Sequence, residues 1–74
     1  MEYELIREIF NNCSGNQMRD VFVEDVTTDD PRAWLEAFLG EKQAEIEEFR
    51  SEDGSVIFNV DIAGLRQRFS FTPQ

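Results

Sequence analysis

The chain has 74 residues, sixteen acidic and seven basic, giving a formal charge of −9, and it contains no histidine. A two-lobed enzyme with an interdomain cleft is excluded at this length, because compact domains usually take roughly 100 residues and sizes near 60 are marginal. Seven Phe, one Tyr and one Trp in a chain that is 41% hydrophobic exclude a disordered acidic tail, which goes with few aromatics, so one small folded domain over residues 1–74 is expected.

The first eleven residues fit two readings. Tyr3, Leu5, Ile6, Ile9 and Phe10 fall within about half of a helical wheel at roughly 100° per residue. As a strand, Tyr3, Leu5 and Ile9 share one face and Ile6 and Phe10 the other. No cap precedes a helix, and Asn11 to Asn16 is rich in turn formers that would join two antiparallel strands, which favours the strand. Arg19 to Thr27 reads as a second strand. Val23 and Val26, three apart, cannot share a face in a regular strand, so either a bulge lies at Glu24-Asp25 or one of them faces outward.

Asp30-Pro31 is the strongest helix start. Asp30 accepts the free amides of the first turn, and Pro31 lacks only an N–H that would be unpaired anyway. Ala33, Trp34, Ala37 and Phe38 recur at helical spacing and Gly40 supplies the stop. A helix over about 31–39 is expected to cover one sheet face, with Trp34 and Phe38 as its main contacts.

Gln43 to Arg50 reads as a strand ending at the Ser51-Glu52-Asp53-Gly54 turn. Ile46 and Phe49 again stand three apart, so either a bulge lies at Glu47-Glu48 or one of them faces outward. Beyond it, Val56, Phe58, Val60 and Ile62 alternate with polar and apolar neighbours, and the alternation resumes after Ala63-Gly64 with Leu65, Gln67, Phe69 and Phe71. A two-residue link makes residues whose numbers sum to 127 face each other. Phe58 then meets Phe69, Val56 meets Phe71, Asp61 meets Arg66 and Asn59 meets Arg68. The expected fold is α+β: an antiparallel sheet of four to five strands, with a C-terminal three-stranded meander and one helix on one face. The last strand is expected at an edge, with Phe58 and Phe69 in the core.

Function is constrained mainly by subtraction. Without histidine there is no imidazole base or imidazole metal ligand, and the isolated glycines build no phosphate loop. Cys13 alone makes neither an intrachain disulfide nor a multi-cysteine metal site. No catalytic residue, cofactor or metal is expected. No apolar run approaches the roughly 18 residues of a membrane span, and the acidic Met1–Glu4 segment is unlike a secretory signal, so cytoplasmic residence is expected.

Residues 20 to 53 carry twelve acids against Arg32, Lys42 and Arg50, or −9, and the rest of the chain sums to zero. That disfavours direct binding to nucleic acid or to anionic membranes and suits a basic partner. The leading expectation is a non-enzymatic protein-interaction module, monomeric or weakly dimeric. It would bind an unidentified protein through an unpaired sheet edge or through an acidic surface made of Glu24, Asp25, Glu45, Glu47 and Glu48. Glu45, Glu47 and Glu24 would line one sheet face as a stripe. Two alternatives are an acidic nucleic-acid mimic that occupies the basic groove of a DNA- or RNA-handling protein, and a small-ligand or cation-sensing domain.

Overall fold

A computed structural model describes residues 1–13, 16–40 and 43–74, with side chains for 1–10, 19–40 and 43–74. Among the described residues the chain forms β1 (Glu2–Cys13), β2 (Asn16–Thr27), α1 (Pro31–Leu39), β3 (Glu45–Arg50), β4 (Val56–Ile62) and β5 (Leu65–Pro73). All neighbouring strands are antiparallel, in the order β2-β1-β5-β4-β3. The α+β class, the C-terminal meander and the single helix are as the sequence pattern predicts.

The β4–β5 hairpin keeps the predicted register throughout, from Val56 opposite Phe71 to Ile62 opposite Leu65. Ala63 and Gly64 both take positive φ, 51° and 85°, as a two-residue turn matched to the strand twist requires. Asp61 stands opposite Arg66, but its Oδ1 accepts the Gly64 N–H at 3.0 Å and thereby caps the turn. Arg68 donates from Nε to Asn59 Oδ1 at 3.3 Å. In the β3–β4 turn the Ser55 N–H donates to Asp53 Oδ1 at 2.9 Å. That bond holds the Asp53 carboxyl below the usual carboxylate range.

β1 is a strand, with Tyr3 and Leu5 buried on the helix-covered face. The turn-forming stretch is largely strand as well, since β1 continues to Cys13 and β2 begins at Asn16. Ser14, Gly15 and the side chain of Cys13 lie outside the described residues. Of the two alternatives for each irregular strand, the outward-facing residue holds and no bulge occurs at Glu24-Asp25 or Glu47-Glu48. The registers of β2 with β1 and of β3 with β4 run one to one, so Val26 and Ile46 face the core while Val23 and Phe49 turn outward, 63% and 52% exposed.

Two expectations are corrected. β5 lies between β1 and β4, so the C-terminal strand is interior and the edges are β2 and β3. A long β1 that bonds β2 on one side still has its other side free, and β5 fills it. The helix also turns a different stripe inward: Pro31, Leu35 and Leu39 are buried, spaced one turn apart. Trp34 and Phe38 stack on each other at the border of that stripe and still meet the core as expected, Trp34 against Phe71 and the 46% exposed Phe38 against Phe69 at 5.7 Å.

The core lies between α1 and one sheet face. Leu5, Leu35, Phe58, Phe69 and Phe71 are wholly buried. Phe71 is its hub, meeting Phe58, Trp34 and Tyr3 edge to face at centroid separations of 5.8, 5.6 and 6.0 Å. At the helix start Asp30 Oδ1 accepts from the Arg32 and Ala33 amides at 3.0 and 3.4 Å. This capping fixes where the chain leaves β2 and begins its crossing to β3.

Candidate functional site

The two sheet edges are built differently. β3 has six residues, and its acids Glu45, Glu47 and Glu48 punctuate it. Glu48 is held from two sides, by Arg50 Nε at 2.6 Å and by Arg32 Nη1 at 3.6 Å. The Arg50 contact raises the pKa of that guanidinium further, chiefly through its hydrogen bond to Glu48. A short, charged strand of this kind resists pairing with another strand.

β2 has twelve residues, and its centre is apolar: Val21, Phe22 and Val23 are consecutive and 49%, 53% and 63% exposed. β2 bonds β1 on its inner side, and among the described residues no strand lies on its outer side. The direction of its main-chain groups follows from one bond. The Thr28 N–H donates to the Met1 carbonyl at 3.0 Å, which places residue 28 in a hydrogen-bonded pair with β1. Antiparallel ladders alternate, so even-numbered residues of β2 aim N–H and C=O at β1. Arg19, Val21, Val23, Asp25 and Thr27 aim theirs outward, and β2 therefore presents main-chain donors and acceptors that no described strand pairs, beside an apolar tripeptide.

The side chains on either side of that edge differ. On the helix-covered face Arg7 stands opposite Phe22, and its guanidinium lies 5.6 Å from the Phe22 ring centroid, 4.9 Å from Phe38 and 5.7 Å from Phe69. Arg7 Nε also donates to the buried Gln67 at 3.3 Å. Phe22 thus rests on a cation that is itself anchored to the core, and Phe38 completes the cluster from the helix. On the open face Val23 begins a row that crosses every strand through Ile6, Ser70, Ile57 and Phe49. Glu8, beside this row, is bridged by Arg19 at 3.2 Å and Arg68 at 3.8 Å.

The acidic residues singled out from the sequence do not converge. Glu24 and Asp25 lie on β2, whereas Glu45, Glu47 and Glu48 lie on β3, four strand spacings or about 19 Å away at ~4.8 Å each. Glu24 and Glu48 project on the helix-covered side and Asp25, Glu45 and Glu47 on the open side, as their register partners require. Glu24 therefore does not join Glu45 and Glu47 in a stripe. Asp25 accepts from Gln74 Nε2 at 2.7 Å.

Local pattern does not mark Val21-Phe22-Val23 as an edge, nor does composition give Arg7 its role. The signal for Arg7 is its place in the inward series Tyr3, Leu5, Arg7, Ile9, where a cation must find a partner within the core face. Among the described residues no grouping of three acidic or cysteine side chains is placed to hold a metal ion, and no helix is long and apolar enough to cross a membrane. Comparison with protein-family models, curated proteins and solved structures returned no match, so the functional reading rests on the geometry of the edge.

Proposed function

We propose that the chain is a non-enzymatic protein-binding module of the cytoplasm that accepts an extended segment of a partner protein along the outer side of β2. The observation that supports it is the exposed Val21-Phe22-Val23 run on an edge whose odd-numbered residues aim their main-chain groups outward. Strand addition takes its affinity from such main-chain bonds and its selectivity from alternating side chains. Glu24 and Asp25 follow the apolar centre, so the matching segment has apolar residues at its middle and Lys or Arg towards the end that meets them. The single cysteine suits a reducing compartment.

The nucleic-acid-mimic and cation-sensing readings draw less support. The described acids of residues 20–53 are dispersed over β2, the start and body of α1, β3 and the β3–β4 turn, and Glu48 is engaged by two arginines. Peptides selected from a random display library against the chain test the proposal. Titrated into isotope-labelled protein, they are expected to shift the amide resonances of Arg19 to Asp25 and to lose affinity in a Val21→Lys/Val23→Lys chain. Selected peptides whose shifts map to β3, and whose affinity survives that double substitution, overturn it.

A further inference from the structure

Resting on the reading of β2 as a strand acceptor, we infer that the edge is also self-complementary: two copies of the chain pair antiparallel through β2, weakly and in one register, about a two-fold axis through Phe22. A continuous sheet made this way keeps each side chain on its own face, so opposing residues share parity and their numbers sum to an even value. The register centred on Phe22 sets Phe22 against Phe22 of the second copy. It sets Val21 against Val23 twice and Arg19 against Asp25 twice. Moving the centre to Val21 puts Val23 against Arg19 and Phe22 against Asp20. Centring on Val23 puts Val21 against Asp25 and Phe22 against Glu24. Only the Phe22 register matches apolar with apolar and cation with anion on the open face.

Main-chain geometry agrees with the side chains. Arg19, Val21, Val23 and Asp25 are the residues whose N–H and C=O aim outward, by the alternation anchored at Thr28. In this register they pair with one another, each pair exchanging both bonds, while Phe22 occupies the narrower non-bonded position on the axis. Like charges limit the affinity, because Asp20 faces Glu24 twice on the helix-covered side and each copy carries −9. Self-pairing is therefore weak, and a partner segment that sets a basic residue against Glu24 displaces it.

Charge reversal tests the register. Arg19→Asp and Asp25→Arg each make the two open-face ion pairs repulsive in a homodimer. Mixing the two variants restores both, because the carboxylates of the first chain face the guanidiniums of the second. Sedimentation equilibrium up to about 100 µM, the range of a weak complex, is expected to show wild-type dimer. Each variant alone should be monomeric, and the equimolar mixture should give a heterodimer. Arg19→Asp also removes the Glu8 contact at 3.2 Å, so a thermal melt accompanies each sample, and recovery of the heterodimer itself shows that both variants fold. A wild-type chain that stays monomeric overturns the inference but leaves the acceptor reading standing if selected peptides still shift β2. A dimer indifferent to both reversals, or a mixture that stays monomeric, overturns the register.

Discussion

The two edges of this sheet meet the same hazard in opposite ways. β3 is six residues long, with Glu45, Glu47 and Glu48 spaced along it and two arginines on Glu48. β2 is twice that length, and its middle is three exposed apolar residues, of which Phe22 is seated on the Arg7 cluster. Unpaired strand edges attract other strands, and charge on the strand is a common safeguard. An edge that lacks the safeguard while its opposite edge has it is better explained by use than by neglect. Net charge alone does not make the distinction, since acids lie on both strands; what differs is whether they interrupt the apolar run or flank it.

The largest expected effect removes both edges together. Phe58 is wholly buried opposite Phe69 and beside Phe71, and Phe58→Ala should cost about 3–5 kcal/mol, much of the roughly 5–15 available to a natural domain. Its thermal melt should show a largely unfolded chain. A shift of only a few degrees would mean that the two edges are not held by one shared core.

The next effect acts on the link between the edges. Asp30 caps the helix that carries the chain from β2 across to β3. Asp30→Ala should cost about 0.5–2 kcal/mol in chemical denaturation. Its loss should weaken α1 against the sheet and expose Leu35 and Leu39, while the β4–β5 register persists. An unchanged midpoint would mean that Pro31 and the packing of Leu35 set the helix start without the cap.

Reversing the guard on β3 should have the smallest effect on stability. Glu45 and Glu47 are exposed and stand opposite Asp61 and Asn59. Glu45→Lys/Glu47→Lys should leave stability within about 0.5 kcal/mol or raise it, because the formal charge moves from −9 by +4 to −5. Peptide binding at β2 should persist in this chain. Loss of that binding with intact folding would return the acidic surface of β3 to the centre of the account.

The parts legible in the sequence are those where two independent patterns agree. Strict alternation on both arms of the C-terminal hairpin and a two-residue turn leave one register, and the structure has it. Asp30-Pro31 and Gly40 bracket the helix from chemistry at its ends alone. The helix stripe was harder to read, because aromatic bulk at Trp34 and Phe38 outweighed the better one-turn spacing of Pro31, Leu35 and Leu39. Val23 and Phe49 suggested bulges only on the assumption that every apolar residue faces the core; a sheet covered on one face leaves such residues outside. Strand order is legible within the meander and within the first hairpin but not between them, since local pattern does not say which side of β1 receives β5. For that reason the unguarded edge, which depends on order, could not be found from the residues in sequence.

Residue-resolved amide hydrogen exchange, measured on dilute and on concentrated protein, separates a binding edge at β2 from one at β3. At low concentration the outward amides of Val21, Val23 and Asp25 should exchange quickly while those of Phe22 and Glu24, bonded to β1, exchange slowly. Raising the concentration, or adding a β2-selected peptide, should slow Val21, Val23 and Asp25 selectively and leave the outer side of β3 unchanged. Protection that appears along β3, with the outward amides of β2 exchanging freely under every condition, would contradict the assignment of β2 as the edge that binds.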